Sequence, residues 1–311
     1  MVVRAEKLPT SDIVAAHLSG KRADIKGILF QTALLMSLML ALLFLIVLLT
    51  EVLISALPVF QERGLQSFLE GSLSGFPDRA GVSQALYGSG MLMLFVVLFA
   101  FPLGVAAAIY LEEYAVDTRF NRFITVNIRN LAGVPSVVFG LLGLAIFVGA
   151  LRSLTGGSSL IAGGLTLAVL VLPIVIITSS EALRAVPQSI REAGYGVGAT
   201  KWEVIRSHVL PSAAPGIFTG TILAVSRAIG EAAPILLVGA VTGLLGQAQG
   251  GFLDQMQGRF TAMPIVIFEW TKEANTEFKA LASAGIVVLM AIILLTNAAA
   301  IFLRNKYERK W

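Results

Sequence analysis

Two charged residues stand in an otherwise apolar stretch of the chain, and they are the residues best suited to act on a charged ligand. Arg227 and Glu231 are four positions apart, a spacing that places them on one face of a helix. An arginine near the centre of a bilayer costs at least about 2.5–3.5 kcal/mol on insertion scales, so it usually has a partner or faces an aqueous cavity. Two interpretations are open. The pair is either a structural ion pair, or part of an anion path in which the guanidinium contacts oxyanions and the carboxylate prevents tight trapping.

The other polar residues do not form the sets that catalysis or metal binding requires. The chain has no cysteine, and His17 and His208 are far apart in sequence, so no metal centre is expected. Glu112 and Glu113 have no nucleophile or metal beside them, and we predict solvated interfacial side chains rather than an acid–base pair. A G-x-x-x-x-G-K-[ST] phosphate loop is absent, so we expect this chain to bind neither ATP nor another cofactor.

The charged pair lies in one of six long apolar segments. A helix needs about 20 apolar residues to cross the hydrocarbon layer. The composition is 56% hydrophobic and only 14% charged, which argues against a soluble fold. We therefore predict an all-α integral membrane protein. The predicted transmembrane helices cover residues 28–50, 87–110, 131–151, 161–179, 216–241 and 281–303.

Lysine and arginine are distributed unevenly between the two sides of these spans, and they favour the cytoplasmic side. Five lie in residues 1–26, three in 111–130, four in 181–212 and four at the carboxyl end, against six in the opposite loops. Both termini are therefore predicted to be cytoplasmic. The predicted organisation is a cytoplasmic tail (1–26), a first transmembrane helix with an external loop (27–84), a transmembrane core (85–304) and a second cytoplasmic tail (305–311).

A polar segment separates the fourth and fifth spans; we call residues 187–211 the knob. A first helix is predicted to end at the glycines Gly196 and Gly198, because glycine is the usual residue just past a helix end. Thr200 and Glu203 have the spacing of a capping box that begins a second helix. That helix is predicted to present an apolar face to a partner, formed at i, i+3, i+7 by Trp202, Ile205 and Val209.

The knob resembles the cytoplasmic coupling loop of permease subunits of bacterial ATP-binding cassette importers. The pattern of that loop is E-A-A, three residues, G, nine residues, then I-x-L-P. The residues that match are Glu192, Ala193, Gly198, Leu210 and Pro211. Gly194 stands where alanine is usual, and His208 where isoleucine is usual, so the fine contacts of the loop are expected to differ.

Further stretches resemble the phosphate-specific members of these importers. They are AAIYLEEYA at 107–115, NIRNLAGVPSVVFGLLGL at 127–144 and SRAIGEAAPIL at 226–236. FTAMPIVIFEW at 260–270 resembles the A-type permease subunit rather than its C-type paralogue. The resemblance covers most of residues 85–304, whereas the first span and the tail before it are less diagnostic.

The resemblance implies a type I importer permease fold in the bacterial cytoplasmic (inner) membrane. It also implies a heterodimer with a C-type permease, a pair of ATPase subunits that hold ATP and Mg²⁺, an extracytoplasmic phosphate-binding protein and no nucleic acid. Arg227 and Glu231 match the charged pair of the family's translocation path. The residues of the ATPase coupling loop are expected to be Glu192, Ala193, Gly194, Gly198, Thr200, Trp202 and Glu203. The mechanism that the resemblance implies is alternating access. The ATPase pair would displace the knob when it binds ATP, and this displacement would pass to the fourth and fifth spans.

Three alternatives stay open at this point. The same machine could carry sulfate or molybdate, because side-chain charge alone does not separate these oxyanions. An ion-coupled secondary transporter could use Arg227 and Glu231 as its coupling site, although the inverted repeats typical of such proteins are not evident. A membrane enzyme would need a clustered nucleophile, base or metal set, and none is visible.

Overall fold

The computed structural model describes residues 25–241 and 252–307, and these residues are predominantly helical. Residues 1–24 of the predicted amino-terminal tail and 308–311 of the carboxyl-terminal tail lie outside the described part. A short 3₁₀ turn occupies Pro77–Arg79. The helices are α1 Ile25–Arg63, α2 Leu65–Glu70, α3 Ser83–Tyr114, α4 Arg119–Ala132, α5 Ser136–Ala150, α6 Arg152–Thr155, α7 Leu160–Arg184, α8 Gln188–Gly196, α9 Lys201–Gly230, α10 Ala233–Val238, α11 Phe252–Met256, α12 Met263–Lys272 and α13 Thr276–Tyr307.

The prediction of an all-α membrane protein is confirmed. Within the described ranges, five helices are long and apolar enough to cross a membrane: α1, α3, α7, α9 and α13. The bent pair formed by α4 and α5 makes a sixth span if it is counted as one. The chain divides into two compact units, Met1–Glu51 and Val52–Trp311. In the first unit, the described residues 25–51 are helical and their side chains are mostly exposed.

The third predicted span is not a single straight helix as the sequence suggests. α4 and α5 meet at an angle of 104°. The chain turns at Gly133–Pro135, where Pro135 precedes α5 as its amino-terminal cap residue with non-helical backbone angles (φ −55°, ψ 138°). Proline cannot donate the backbone hydrogen bond that a continuous helix would require, so the break falls there. α4 carries polar and basic residues and is much less apolar than the membrane-crossing segment that follows.

α7 is the central helix of the second unit, and most of its side chains are buried. Residues of α3, α5, α9 and α10 pack against it in the largest hydrophobic cluster. Small residues on these helices allow close contact, as is usual where helices associate in a membrane. A separate cluster, which includes Leu183, Val204 and Ile217, joins the end of α7 to the first part of α9.

The segment between the first two spans is more ordered than the polar loop that the sequence indicates. α1 continues to Arg63, and the Arg63 guanidinium donates to the carbonyls of Pro77 (2.8 Å) and Ala80 (3.0 Å). Phe68 of α2 is fully buried and packs at a tilted angle against Trp270 of α12. This segment therefore forms a hydrophobic cluster with α12 and α13.

A close contact between α7 and α9 yields a stability prediction. A Cβ atom added to Gly220 would lie 2.1 Å from Oγ1 of Thr178, much closer than a real contact. The Thr178 hydroxyl is fixed by its bond to the carbonyl of Ile174 (2.9 Å). Gly220→Ala is therefore expected to overpack the interface and destabilise the protein by about 1–3 kcal/mol.

The measurement is thermal unfolding of the purified protein in detergent. Gly90→Ala is the matched control, because Gly90 also lies in a membrane-crossing helix and an added Cβ meets no atom within 4 Å. Gly220→Ala should unfold at a clearly lower temperature than Gly90→Ala. Equal unfolding temperatures would contradict the close approach of α7 and α9.

Candidate translocation and coupling sites

Arg227 and Glu231 form an ion pair at the end of α9. The Nε of Arg227 donates to Oε1 of Glu231 at 3.1 Å. The Arg227 side chain is 44% exposed and that of Glu231 is 16% exposed, so a third group can reach the guanidinium more readily than the carboxylate. The predicted contact between the two residues is confirmed, whereas their role in an anion path stays a prediction.

The helix that carries this pair does not continue as predicted to residue 241. α9 ends at Gly230, Glu231 has an extended backbone conformation, and α10 begins at Ala233. The cause is Pro234, which has no N–H to donate to the carbonyl four residues earlier and whose ring would clash with that carbonyl. The ion pair therefore lies at a helix break. Broken helices at membrane depth are tolerated where they are buried in protein or line an aqueous cavity.

The short helix beyond the break is held against α5. A Cβ atom at Gly140 would lie 2.7 Å from the Cα of Pro234, so the two backbones approach closely there. Ile235 and Val238 of α10 are buried. The helix that follows the break at Gly133–Pro135 is α5, and the helix that follows the break at Glu231 is α10. These two helices are in contact with each other.

Two polar contacts join α9 to α13, and no sequence pattern indicates them. The Ser226 hydroxyl donates to Oδ1 of Asn297, next to Arg227 in the chain. Seven residues earlier on α9, the Thr219 hydroxyl accepts from Nη1 of Arg304 at 3.2 Å. The first contact and the second contact are seven residues apart on each of the two helices, which corresponds to about two helical turns. Only a three-dimensional arrangement reveals them, because the partners are more than 70 residues apart in sequence.

The local structure of the knob agrees with the sequence at both helix ends. Gly198 has φ +83°, and its N–H donates to the carbonyl of Tyr195 (3.0 Å). The N–H of Ala199 donates to the carbonyl of Gly194 (3.2 Å), which completes a Schellman ending for α8. The capping box is also present: Oε2 of Glu203 accepts from the N–H of Thr200 at 2.7 Å.

The surface of the knob differs from the predicted apolar face. Trp202 is exposed, but Ile205 and Val209 are fully buried, so the three do not form one outward face. The prediction assumed 3.6 residues per turn, whereas residues Ile205–Val209 form a π-helical turn that changes the rotation of the helix. The exposed apolar side chains of the knob instead belong to Tyr195, Val197 and Trp202.

Six of the seven predicted coupling residues are exposed: Glu192, Ala193, Gly198, Thr200, Trp202 and Glu203. Gly194 is the exception. It is buried between α8 and α9, and an added Cβ would lie 2.7 Å from Cγ2 of Val204. The structure therefore gives Gly194 a packing position inside the knob and leaves the other six accessible.

The prediction of a solvated Glu112–Glu113 pair is wrong for Glu113. This side chain is 5% exposed and forms a salt bridge of 2.7 Å with Nη2 of Arg191 in the knob. Glu112 pairs with Arg184 at the end of α7, also at 2.7 Å. Sequence patterns gave no signal for the buried contact, because Glu113 and Arg191 are 78 positions apart.

The two predicted sites are joined by one helix rather than brought together. α9 begins with the capping box in the knob and ends beside Arg227. At 1.5 Å per residue, the distance along the helix from Lys201 to Arg227 is roughly 39 Å. No cluster of three or more potential metal ligands occurs among the described residues. The geometry therefore suits mechanical connection between two distant sites.

Comparisons with known proteins show the family to which the chain belongs. Residues 100–309 match the family model described as "Binding-protein-dependent transport system inner membrane component". The chain is 33% identical over 221 residues to phosphate transport system permease protein PstA 1 of Mycobacterium tuberculosis, covering 71% of this chain and 69% of that protein. It is 34% identical over 235 residues to phosphate transport system permease protein PstA of Yersinia pestis, covering 73% and 74%.

A solved structure of a bacterial alginate ABC transporter, in complex with a pentasaccharide-bound periplasmic protein, contains a chain with the same fold. The TM-score is 0.62 with 14% sequence identity, and the match covers 90% of this chain and 97% of that one. At this identity the likeness establishes the fold alone. Together with the matched family model and the relatives, it leads to one conclusion: this chain belongs to the family of multi-pass inner-membrane components of binding-protein-dependent transport systems.

Proposed function

We propose that this chain is a permease subunit of an ATP-driven importer for inorganic phosphate. It forms half of the translocation pathway and couples transport to a separate ATPase through the knob. The observation that carries the proposal is the course of α9, which begins in the knob and ends beside the Arg227–Glu231 pair. One continuous helix thereby connects a cytoplasmic docking surface with an arginine–glutamate pair at a helix break.

Two properties of the Arg227 site favour an oxyanion as the ligand. A guanidinium binds phosphate oxygens through parallel hydrogen bonds, which gives the contact both strength and direction. Glu231 already neutralises the charge, so an anion reaching Arg227 must compete with a carboxylate. That competition keeps binding weak enough for release, which conduction requires. The choice of phosphate follows the relatives, since those from M. tuberculosis and Y. pestis are both named phosphate transport system permeases.

The proposed partners follow from the same assignment. A paralogous C-type permease would supply the other half of the pathway, and a pair of ATPase subunits would hold ATP and Mg²⁺. An extracytoplasmic phosphate-binding protein would deliver the anion. The exposed side chains of Tyr195, Val197 and Trp202 are the apolar contacts that the knob offers to an ATPase groove. The polar residues around these side chains would set the orientation of the knob in that groove.

The proposed cycle is alternating access. Closure of the ATPase pair on ATP pulls the two knobs together and opens the pathway outward to the loaded binding protein. Hydrolysis of ATP releases the knobs and opens the pathway inward. The Schellman ending and the capping box keep the knob rigid, so its displacement passes to α7 and α9 as a rigid-body movement.

The test is uptake of radiolabelled phosphate by bacterial cells that lack their own high-affinity system and express this chain with its partner subunits. Uptake should require an active ATPase subunit, and it should persist when a protonophore is added while cellular ATP is maintained. Unlabelled phosphate should compete, whereas sulfate and molybdate should not. Uptake that survives loss of the ATPase would indicate a secondary transporter, and competition by sulfate or molybdate would indicate another oxyanion.

A further inference from the structure

A buried ion pair ties the knob to the end of α3, although α3 is not adjacent to the knob in the chain. Arg191 of α8 donates to Glu113 from Nε at 3.2 Å and from Nη2 at 2.7 Å. The two side chains are only 13% and 5% exposed. Both bonds end on Oε1 of Glu113, and a buried charge-assisted contact of this kind has a defined geometry, unlike a mobile pair at the surface.

The same guanidinium also binds the end of α7. Its Nη1 donates to the carbonyl of Val186 (2.8 Å), and its Nη2 to the carbonyl of Leu183 (3.0 Å). The last carbonyls of a helix lack partners within the helix, and a cationic side chain satisfies them well. Arg191 therefore fastens three elements to one another: α8, which carries it, the end of α7, and the end of α3.

A second contact reinforces the connection between the knob and α3. The Nζ of Lys201, the first residue of α9, lies 5.0 Å from the ring centre of Tyr114, a distance typical of a cation–π interaction. Ala108 of α3 also belongs to the hydrophobic cluster formed with Val204 and Val209 of the knob. The end of α3 is thus held by both helices of the knob.

We infer that Arg191 and Glu113 are positioning residues that make the end of α3 move together with the knob during the transport cycle. This inference rests on the proposed function, in which the ATPase displaces the knob. Displacement would then reach the membrane through α3 as well as through α7 and α9. Removing either partner leaves the other charge buried without compensation, so the connection should fail when one side chain is neutralised.

The neighbouring pair Arg184–Glu112 is a matched control. It joins α3 to α7 with the same chemistry and the same distance of 2.7 Å. It includes no residue of the knob, and Arg184 is 58% exposed. Exposed pairs contribute little to stability, so neutralising this pair should leave the connection between the knob and α3 intact.

The experiment uses the complete complex with its ATPase and binding protein, reconstituted in proteoliposomes. Phosphate transported per ATP hydrolysed is measured for wild type, Arg191→Gln, Glu113→Gln and the double variant. Each single variant is expected to lower this ratio by between about fivefold and 100-fold, with the ATPase still bound. The double variant should be no worse than either single variant, because the two residues act as a unit. Arg191→Lys should be intermediate, and Arg184→Gln and Glu112→Gln should match wild type.

A second measurement observes the movement itself. The chain has no cysteine of its own, so a thiol-reactive spin label attaches in this chain only to cysteines that are introduced. Tyr110→Cys at the end of α3 and Ser207→Cys in the knob are both exposed. The distance between these labels should be the same with and without ATP in the wild-type background. With Arg191→Gln added, that distance should change or its distribution should broaden when ATP binds.

The outcomes separate this inference from the proposed function. If the wild-type complex transports no phosphate, the proposed function fails, while the label distances still test the connection. If wild type transports phosphate and the variants keep both the ratio and the label distances, the inference is wrong. If the variants lose the ATPase from the complex, and the double variant does too, the pair serves only to fold the knob and the inference is also overturned.

Discussion

Cells carrying Arg227→Gln are expected to take up phosphate at least about tenfold more slowly than wild-type cells, with the complex still assembled in the membrane. A hydrogen bond to a charged group is worth about 1.5–3 kcal/mol, and about 1.4 kcal/mol corresponds to a factor of ten. Glutamine keeps a neutral hydrogen-bonding amide, but it is shorter than arginine and loses both the charge and the two parallel N–H donors of the guanidinium. Uptake of labelled phosphate and recovery of the purified complex are measured in parallel.

The double variant Arg227→Gln/Glu231→Gln distinguishes a path from a structural ion pair. If the pair only stabilises the protein, removing both charges should restore assembly and uptake together. If Arg227 contacts the anion, the double variant should assemble and still transport poorly. Arg122→Gln is the control, because Arg122 forms a surface pair with Asp117 at 3.1 Å, is 72% exposed, and should be dispensable. Normal uptake by Arg227→Gln would remove this residue from the pathway.

Gly198→Pro is expected to abolish coupled transport. Gly198 has φ +83°, whereas proline is fixed near −65°, and the substitution also removes the N–H that donates to Tyr195. Strained backbone conformations cost about 1–3 kcal/mol each, and a lost hydrogen bond adds about 1 kcal/mol. The ending of α8 should open, and the exposed residues of the knob should lose their fixed positions.

The measurement for Gly198→Pro is recovery of the ATPase with the purified permease, together with phosphate uptake. Gly196→Ala is the matched control, because Gly196 lies at the end of α8 and an added Cβ meets no atom within 4 Å. Alanine is also a better helix former than glycine, so this variant should behave as wild type. Intact coupling in Gly198→Pro would show that the knob does not transmit the ATPase movement.

Local features of the chain were predictable because they depend on neighbouring residues. The apolar segments located the membrane-crossing helices, and the Thr200–Glu203 spacing identified a capping box that the structure contains. The glycine-rich ending of α8 was predictable for the same reason, since only a residue that tolerates positive φ suits that position. These features are encoded within four or five residues of one another.

Features that depend on distant residues or on irregular backbone could not be predicted. Glu113 was predicted to be a solvated side chain because its buried partner, Arg191, is 78 positions away in the sequence. The outward face assigned to Ile205 and Val209 failed because a π-helical turn departs from ideal helical periodicity. The predicted spans ran unbroken through Pro135 and Pro234, because neither the 104° bend before α5 nor the extended conformation at Glu231 follows from proline alone.

Phosphate conduction driven by a separate ATPase is the function proposed for this chain. Its most direct test is phosphate uptake into proteoliposomes that contain the purified complex, with binding protein and labelled phosphate outside and Mg-ATP inside. We expect uptake that requires both ATP and the binding protein and that falls sharply with Arg227→Gln. Uptake driven by an ion gradient without ATP, or no uptake of phosphate by an intact, ATP-hydrolysing complex, would contradict it.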